Sequence, residues 1–395
     1  MKPLPNGWEN TVLSQIMDFK NGLNFTKSNN GEAIKIVGVG DFKDLTELKS
    51  TENLDIVYVD NTIKNEELLK NGDLLLVRSN GNKELIGRCL FFPIVEERLS
   101  FSGFTIRGRV VNKGADAQFI SNFMQSKILK QQIQKNSGGT NISNLSQEIL
   151  NSVNIMLPPL PEQTKIAQIL TTWDNAIRTT EQLIANSELQ KQALMQQLLT
   201  GKKRLLNDNG ERFCGEWKRN VLKNILQISK GKQLNRSTLS KNGDYPVING
   251  GITPSGYTER FNTNANTITI SEGGNSCGFV AYQKRNFWCG GHCYAIINLK
   301  LNLAFTYHLL KFNEAQIMNL RVGSGLPNIQ KKALEYFNVC YPMFLKEQQK
   351  IAAVLTAADN ETETLKQTLC RLKTEKQALM QQLLTGKMRV RVKAI

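Results

Sequence analysis

The chain has 395 residues, carries 50 Lys+Arg against 34 Asp+Glu, and has a formal net charge of +16. Its longest apolar runs fall far short of the roughly 18 residues that span a bilayer, and Met1-Lys-Pro-Leu-Pro is no export signal. A soluble, cytoplasmic protein is therefore expected, and the seven cysteines, an odd number without framework spacing, read as reduced thiols.

A basic surplus of this size points to a polyanionic partner, but it is unevenly spread. Residues 1–157 carry 18 Lys+Arg against 17 Asp+Glu, and residues 158–204 carry 6 against 4. Residues 205–341 carry 16 against 8, and residues 342–395 carry 10 against 5. Most of the excess thus lies in the second half.

The first segment, 1–157, opens GWENTVLSQIMDFKNGLNF and continues in short apolar runs broken by Gly and Asn. IKIVGVGDF (34–42) and DLLLVRSNG (73–81) read as strands running into loops. A Gly/Ser turn, SGGTN (137–141), closes it. A long helix follows from Glu162 to Thr200, 39 residues or roughly 58 Å at 1.5 Å rise. Its apolar seam repeats at 4,3,4,3 spacing: Ile166, Leu170, Trp173, Ile177, Thr180, Ile184, Ser187, Lys191, Leu194 and Leu198, of which seven are apolar. A mean period of 3.5 residues is the pattern of a helix packed on another helix. Pro161 suits a first turn, Gly201 a C-terminal stop, and Lys202, Lys203 and Arg204 the negative end of the dipole.

A polar linker, LLNDNGERFCG (205–215), leads to a second segment, 205–341, that reuses the frame of the first. Aligning Trp217 with Trp8 puts Val221 on Val12, Leu222 on Leu13, Ile225 on Ile16 and Gly231 on Gly22. YPVINGGITPSGY (245–257) and NTITISEGGNSCGFVAY (266–282) again read as strands and glycine loops, and GSGLPN (323–328) closes the segment. Cys289-Gly-Gly-His292-Cys293, with Cys277 nearby, lacks paired Cys-x-x-Cys spacing, so no metal site is expected.

The final segment, 342–395, is a second copy of the helix. KQALMQQLLTGK occurs at 191–202 and again at 376–387, an offset of 185, and EQTKIAQILTTWDN (162–175) aligns with EQQKIAAVLTAADN (347–360). The seam returns as Ile351, Leu355, Ala358, Thr362, Leu365, Leu369, Leu372, Lys376, Leu379 and Leu383, with eight apolar, and Gly386 takes the stop. Met195 and Met380 lie off this seam. The period is too long for a solenoid. It predicts two equivalent halves, each ending in the same helix, with the helices packed on each other.

Catalytic groupings are missing. The two histidines, His292 and His308, both lie in the second segment, so no histidine mechanism is duplicated. There is no phosphate-binding G-x-x-x-x-G-K-[ST], the Gly38-Val39-Gly40 pair lacks the rest of a dinucleotide fingerprint, and no Asn/Asp-Pro-Pro-aromatic tetrapeptide of an amino-methyltransferase is present. A recognition protein therefore fits better than an enzyme, and the basic second segment argues against a coiled-coil adaptor that ignores polyanions.

LPPLPEQTKIAQIL (157–170), its later copy LKEQQKIAAVL (345–355) and the paired QALMQQLLTGK ends resemble the specificity subunit of type I restriction-modification systems over essentially the whole chain. Met343-Phe344 and Lys346 depart from Pro158-Pro159 and Pro161 of the first copy. The resemblance implies an α/β (α+β) fold with two target-recognition domains, 1–157 and 205–341. Two antiparallel coiled-coil spacer helices, in 158–204 and 342–395, would join them with pseudo-twofold symmetry. It implies a non-catalytic subunit that binds a bipartite asymmetric site on double-stranded DNA and recruits two copies of a modification subunit. A restriction subunit completes the enzyme. S-adenosylmethionine, ATP and magnesium would belong to those partners, with no cofactor in this chain. The residues expected on the spacer and docking helices are Ile166, Leu170, Trp173, Leu194, Leu198, Ile351, Leu355, Leu379 and Leu383.

Base edges in the major groove favour Arg on guanine, Asn or Gln on adenine, and Ser or Thr on either, while glycine loops let backbone approach phosphate. The expected DNA-binding residues in the first segment are Arg78, Ser79, Asn80, Asn82, Lys83 and Thr140. In the second they are Lys232, Arg236, Asn249, Ser255, Tyr257, Ser271, Asn275, Ser276 and Ser324.

Overall fold

The computed structural model describes residues 4–24, 31–43, 45–59, 63–136, 144–323, 325 and 327–392. Contacts group them into two compact units: residues 1–180 with 368–395, and residues 181–367. Each unit therefore holds one globular domain and part of both long helices.

In the first domain the strands are β1 (Glu9–Val12), β2 (Met17–Asn21), β3 (Glu32–Val37), β4 (Ile56–Val59), β5 (Asp73–Val77), β6 (Cys89–Phe92), β7 (Leu99–Phe101) and β8 (Thr105–Val110). Helices α1 (Ala117–Met124), α2 (Lys127–Asn136) and α3 (Gln147–Asn151) follow, then β9 (Asn154–Leu157) and α4 (Leu160–Leu198). A four-stranded antiparallel sheet runs in the order β2-β8-β5-β6, and a three-stranded sheet in the order β4-β3-β7. The β1–β9 pair closes the domain where the long helix begins. Strand β5 is buried along its length, which explains its unbroken Leu74-Leu75-Leu76-Val77 run, since a strand covered on both faces does not alternate.

The second domain repeats this plan. Its strands are β10 (Trp217–Val221), β11 (Gln227–Lys230), β12 (Tyr245–Ile248), β13 (Tyr257–Thr258), β14 (Thr267–Ser271), β15 (Val280–Gln283), β16 (Trp288–Cys289) and β17 (Cys293–Ile297). Helices α5 (Leu303–Phe312), α6 (Glu314–Met318) and α7 (Lys331–Glu335) precede β18 (Asn338–Pro342) and α8 (Leu345–Leu383). Sheet orders β11-β17-β14-β15 and β13-β12-β16 match the first domain strand for strand, and β10 pairs with β18 as β1 does with β9. The aligned core residues occupy equivalent places: Leu13 and Leu222 are both 0% exposed. Fold class and internal duplication thus follow the sequence expectation.

Helices α4 and α8 are each 39 residues long and start 185 positions apart. All twenty seam positions are buried or half-buried. Within each unit the two helical segments run antiparallel. In the first, Lys376 Nζ donates to Asp174 Oδ1 at 2.5 Å; in the second, Lys191 donates to Asp359, the same pair displaced by 185 positions. Lys191 and Lys376 thus sit in the seam because a facing carboxylate neutralises them. Ser187 and Thr362 bond each other through their hydroxyls at 2.8 Å. The changed residues ahead of the second helix leave its start intact, because one glutamine does the same work twice. Gln163 Nε2 donates to Pro158 O and its Oε1 accepts from Asp116 N, while Gln348 Nε2 donates to Pro342 O and its Oε1 accepts from Asn302 N. Gly201 and Gly386 end the helices at φ +73° and +65°, the left-handed region that glycine enters without strain.

Met195 and Met380, off the seam as expected, are nonetheless 8% exposed and belong to the domain cores. Met195, Leu198 and Leu199 pack with Leu222 and Ile225 of the second domain, whereas Met380, Leu383 and Leu384 pack with Trp8 and Leu13 of the first. Much of the repeated QALMQQLL segment therefore faces the globular cores. Among the described residues no helix is long and apolar enough to cross a membrane.

Candidate nucleic-acid interface

The glycine loops converge at one corner in each domain. In the first, Gly22 follows β2 and passes so close to the turn after β7 that a Cβ there would lie 2.1 Å from Ser102 O. Gly22 N donates to Thr105 O at 3.1 Å, Leu23 N to Phe101 O at 3.0 Å, and Ser102 N to Val37 O at 3.0 Å. Arg78 N donates to Phe104 O at 2.8 Å, joining the loop after β5 to the same turn, and Leu145 N donates to Arg78 O at 2.8 Å. Leu23, Asn24, Gly38, Ser79, Gly103 and Phe104 help to line the resulting open concavity of about 820 Å³. Phe104 stands on its rim, 64% exposed.

The second domain builds this corner bond for bond. A Cβ on Gly231 would lie 2.2 Å from Gly290 O. Gly231 N donates to Cys293 O at 2.9 Å, Lys232 N to Cys289 O at 2.9 Å, and Gly290 N to Ile248 O at 2.8 Å. Glu272 N donates to His292 O at 2.9 Å, and Ile329 N to Glu272 O at 2.8 Å. The equivalences are therefore Leu23 with Lys232, Arg78 with Glu272, and Phe104 with His292. Asn24 matches Gln233, because each side-chain oxygen crowds the equivalent turn glycine, Gly103 or Gly291. His292 is exposed like Phe104, with a side chain 63% accessible.

Around this second corner, Lys230 Nζ and Tyr294 Oη both donate to Glu272 Oε1, at 2.6 and 3.0 Å. Burial and the Glu272 carboxylate hold the Tyr294 phenol far above its ordinary range, so it stays a donor. Among the described residues Glu272 Oε2 is buried without a hydrogen-bond partner, and it lies 3.7 Å from His292 Nδ1. The Cys289 thiol and burial raise Cys293 well above the ordinary thiol range.

The residues expected at DNA divide by position. Arg78, Ser79 and Asn80 are half-buried at the first corner. Asn82 caps the turn Lys83–Leu85 by accepting from Glu84 N at 3.1 Å, and with Lys83 it lines a separate cavity of about 480 Å³. In the second domain Lys232 is exposed at the corner, and Asn249 Oδ1 accepts from His292 N at 2.9 Å. Ser271 is 4% exposed and donates to Gly250 O at 2.6 Å, so its hydroxyl ties loops together instead of facing solvent. Asn275 is exposed and Ser276 half-buried on the loop beyond. Arg236 and Ser255 are exposed nearby, and Tyr257 joins their segments through paired backbone bonds with Ser240 at 2.9 Å. Thr140 and Ser324 lie outside the described residues.

Sequence reasoning missed Leu23, Asn24, Gln233, Phe104 and His292. The matching Gly22 and Gly231 carried the signal, because each must pass beside a glycine-containing turn, SGF or GGH.

The family model for the type I restriction modification DNA specificity domain matches residues 5–188 and 215–374. A type I specificity subunit of Mycoplasma genitalium is 33% identical over 152 residues, 38% of this chain and 39% of that protein. The match thus spans about two-fifths of that relative. A type I restriction enzyme specificity subunit of Methanocaldococcus jannaschii is 26% identical over 426 residues, covering 98% of this chain and 95% of the relative. The crystal structure of the S subunit of a type I restriction-modification system from M. genitalium superposes with a TM-score of 0.64 at 17% identity, over 97% of this chain and 98% of that one, a likeness of fold.

Proposed function

The chain belongs to the type I restriction-modification DNA specificity family, and on that premise we propose that its two domains each read one half of a split, asymmetric site on duplex DNA. The paired helices set the unspecified spacer between the halves. The observation that carries this reading is the repeated corner: one backbone frame, built twice in one chain, displays different side chains each time. A continuous site would need one such surface, and a palindromic one would need two alike.

The chain is the non-catalytic subunit of its complex. Two copies of a modification subunit supply S-adenosylmethionine and adenine methylation, and a restriction subunit supplies the ATP- and magnesium-dependent motor nuclease. Core packing accounts for the identical Met and Leu residues of the repeated segment but not for its solvent face. Gln192, Ala193, Gln196 and Gln197 are exposed, as are their copies Gln377, Ala378, Gln381 and Gln382. Two identical exposed strips support docking of two copies of one partner.

The test is reconstitution with the modification subunit, mapping of methylated adenines, and native mass spectrometry. Two specified segments separated by unspecified bases, and two modification subunits per chain, are the expected results. Methyl transfer by this chain alone, a continuous motif, or one partner per chain would overturn the proposal.

A further inference from the structure

We propose that four equivalent side chains in each domain determine which half-site it reads: Leu23, Asn24, Arg78 and Phe104 in the first, and Lys232, Gln233, Glu272 and His292 in the second. This rests on the reading of the chain as a split-site DNA reader, and deepens it to named residues.

The argument starts from what the two corners hold constant. Five backbone hydrogen bonds recur at equivalent places, and both Gly22 and Gly231 are confined by a carbonyl oxygen that a Cβ would strike. Against that fixed frame the side chains change chemical class at three positions and length at the fourth. A hydrocarbon becomes a cation, a cation becomes an anion, a phenyl ring becomes an imidazole, and Asn becomes Gln. Donor, acceptor and apolar character are what distinguish base edges in the major groove.

Each corner then suits a different pattern. Arg78 gives one long bond, 3.4 Å from Nη1 to Gly103 O. A guanidinium carries five N–H donors, so capacity remains for the paired acceptors of guanine. Phe104 has no polar side-chain atom and offers contact to a thymine methyl or a wedge between bases. In the second domain Glu272 is a positioning residue. Its Oε2, unpartnered among the described residues, lies 3.7 Å from His292 Nδ1, which favours the tautomer with hydrogen on Nδ1 and leaves Nε2 to accept from a base amino group. Lys232 beside it donates to a base or phosphate oxygen.

The experiment maps the methylated motif of the complex carrying Phe104→Ala, His292→Ala, Glu272→Gln or the His292→Ala/Glu272→Gln pair, with Tyr58→Ala, exposed on β4, as comparator. A wild-type complex without a two-part motif removes the split-site reading, and this inference with it. Given that motif, Phe104→Ala should cost about tenfold in preference at one or more bases of one half only, and His292→Ala at the other half only. Glu272→Gln should relax the same base as His292→Ala and add nothing in the double variant, whereas a purely structural role would add. An unchanged motif, relaxation of both halves by one substitution, or equal relaxation by Tyr58→Ala overturns the inference. If an alanine variant fails to assemble, Phe104→Leu and His292→Gln decide by the same criteria.

Discussion

Arg389 grips Glu162 with two donors, Nε to Oε1 at 2.7 Å and Nη2 to Oε2 at 2.8 Å. Arg204 grips Glu347 the same way at 2.5 and 2.8 Å, with both residues displaced by 185 positions. Each glutamate lies in the first turn of a long helix and each arginine just beyond the end of the other helix, so the fork ties the helix ends within a unit. The further partners differ: Arg389 Nη1 also donates to Asn6 O at 3.2 Å. Trp8 Nε1 donates to Glu162 Oε2 at 3.1 Å, whereas the buried Trp217 Nε1 has no hydrogen-bond partner among the described residues.

That difference gives an asymmetric mutational result. The Glu347 side chain is 0% exposed, and removing its arginine leaves a buried carboxylate uncompensated. Arg204→Met should cost about 3 kcal/mol, at the lower end for broken buried pairs because Arg204 is partly solvated. Arg389→Met should cost about half as much, since Trp8 still donates to Glu162. Urea unfolding measures both; equal losses would show that the indole contributes nothing.

His308 adds a pH dependence. Its side chain is 1% exposed, Nε2 lies 3.0 Å from Thr356 Oγ1, and Nδ1 is buried without a hydrogen-bond partner among the described residues. Burial, opposed by Asp359 3.8 Å from Nδ1 and aided by Lys191, brings its pKa from the ordinary 6.5 down to about 4. The unfolded chain therefore takes up a proton near pH 6.5 while the folded chain stays neutral. Stability from this group is full above pH 6.5 and falls as the pH drops towards 4, by an amount on the order of 3 kcal/mol. His308→Asn should flatten stability over pH 4–6.5; an unchanged slope would assign the loss to other groups.

Much of this was legible because it is periodic or duplicated. Seam residues such as Ile166 and Leu383 follow from a spacing, and the equivalence of Gly22 with Gly231 follows from alignment around Trp8 and Trp217. The burial of Met195 was not legible, because helix–helix periodicity does not report a globular core pressing on a second helix face. Phe104 and His292 were not legible, because loop polarity and glycine content do not report which turns meet. Their importance comes instead from tertiary hydrogen bonds, Arg78 N to Phe104 O and Glu272 N to His292 O, that join distant stretches of chain.

Salt should act mainly through the second domain. There Lys232 and Arg236 are exposed, whereas several cations of the first domain are held internally: Arg107 is 2% exposed and bonded to Asp18, and Arg109 forks onto Asp73. Affinity for duplex DNA falls with salt by a slope of about 0.9 per phosphate contacted. Lys232→Ala/Arg236→Ala should therefore lower the slope by roughly 1.8, and Lys83→Ala by at most about 0.9. A salt titration of the partner-bound complex reads both. A larger change from Lys83→Ala would show that a clustered cation outweighs net charge.

The helices give the last prediction. Leu183 and Thr368 occupy equivalent positions of α4 and α8, 185 residues apart. Four residues inserted after each keep the packing face nearly in phase, since 3.6 residues make a turn, and add about 6 Å of rise. The Lys–Asp pairs and the arginine forks lie on either side of the insertions, so each unit keeps its own contacts. If the helices set the spacer, the methylated motif should gain one or two unspecified base pairs, about 3.4 Å each, while both half-sites keep their bases. Insertion into one helix alone should instead disrupt the pairing and lower stability. An unchanged spacer in an active doubly extended complex would remove the helices from that role.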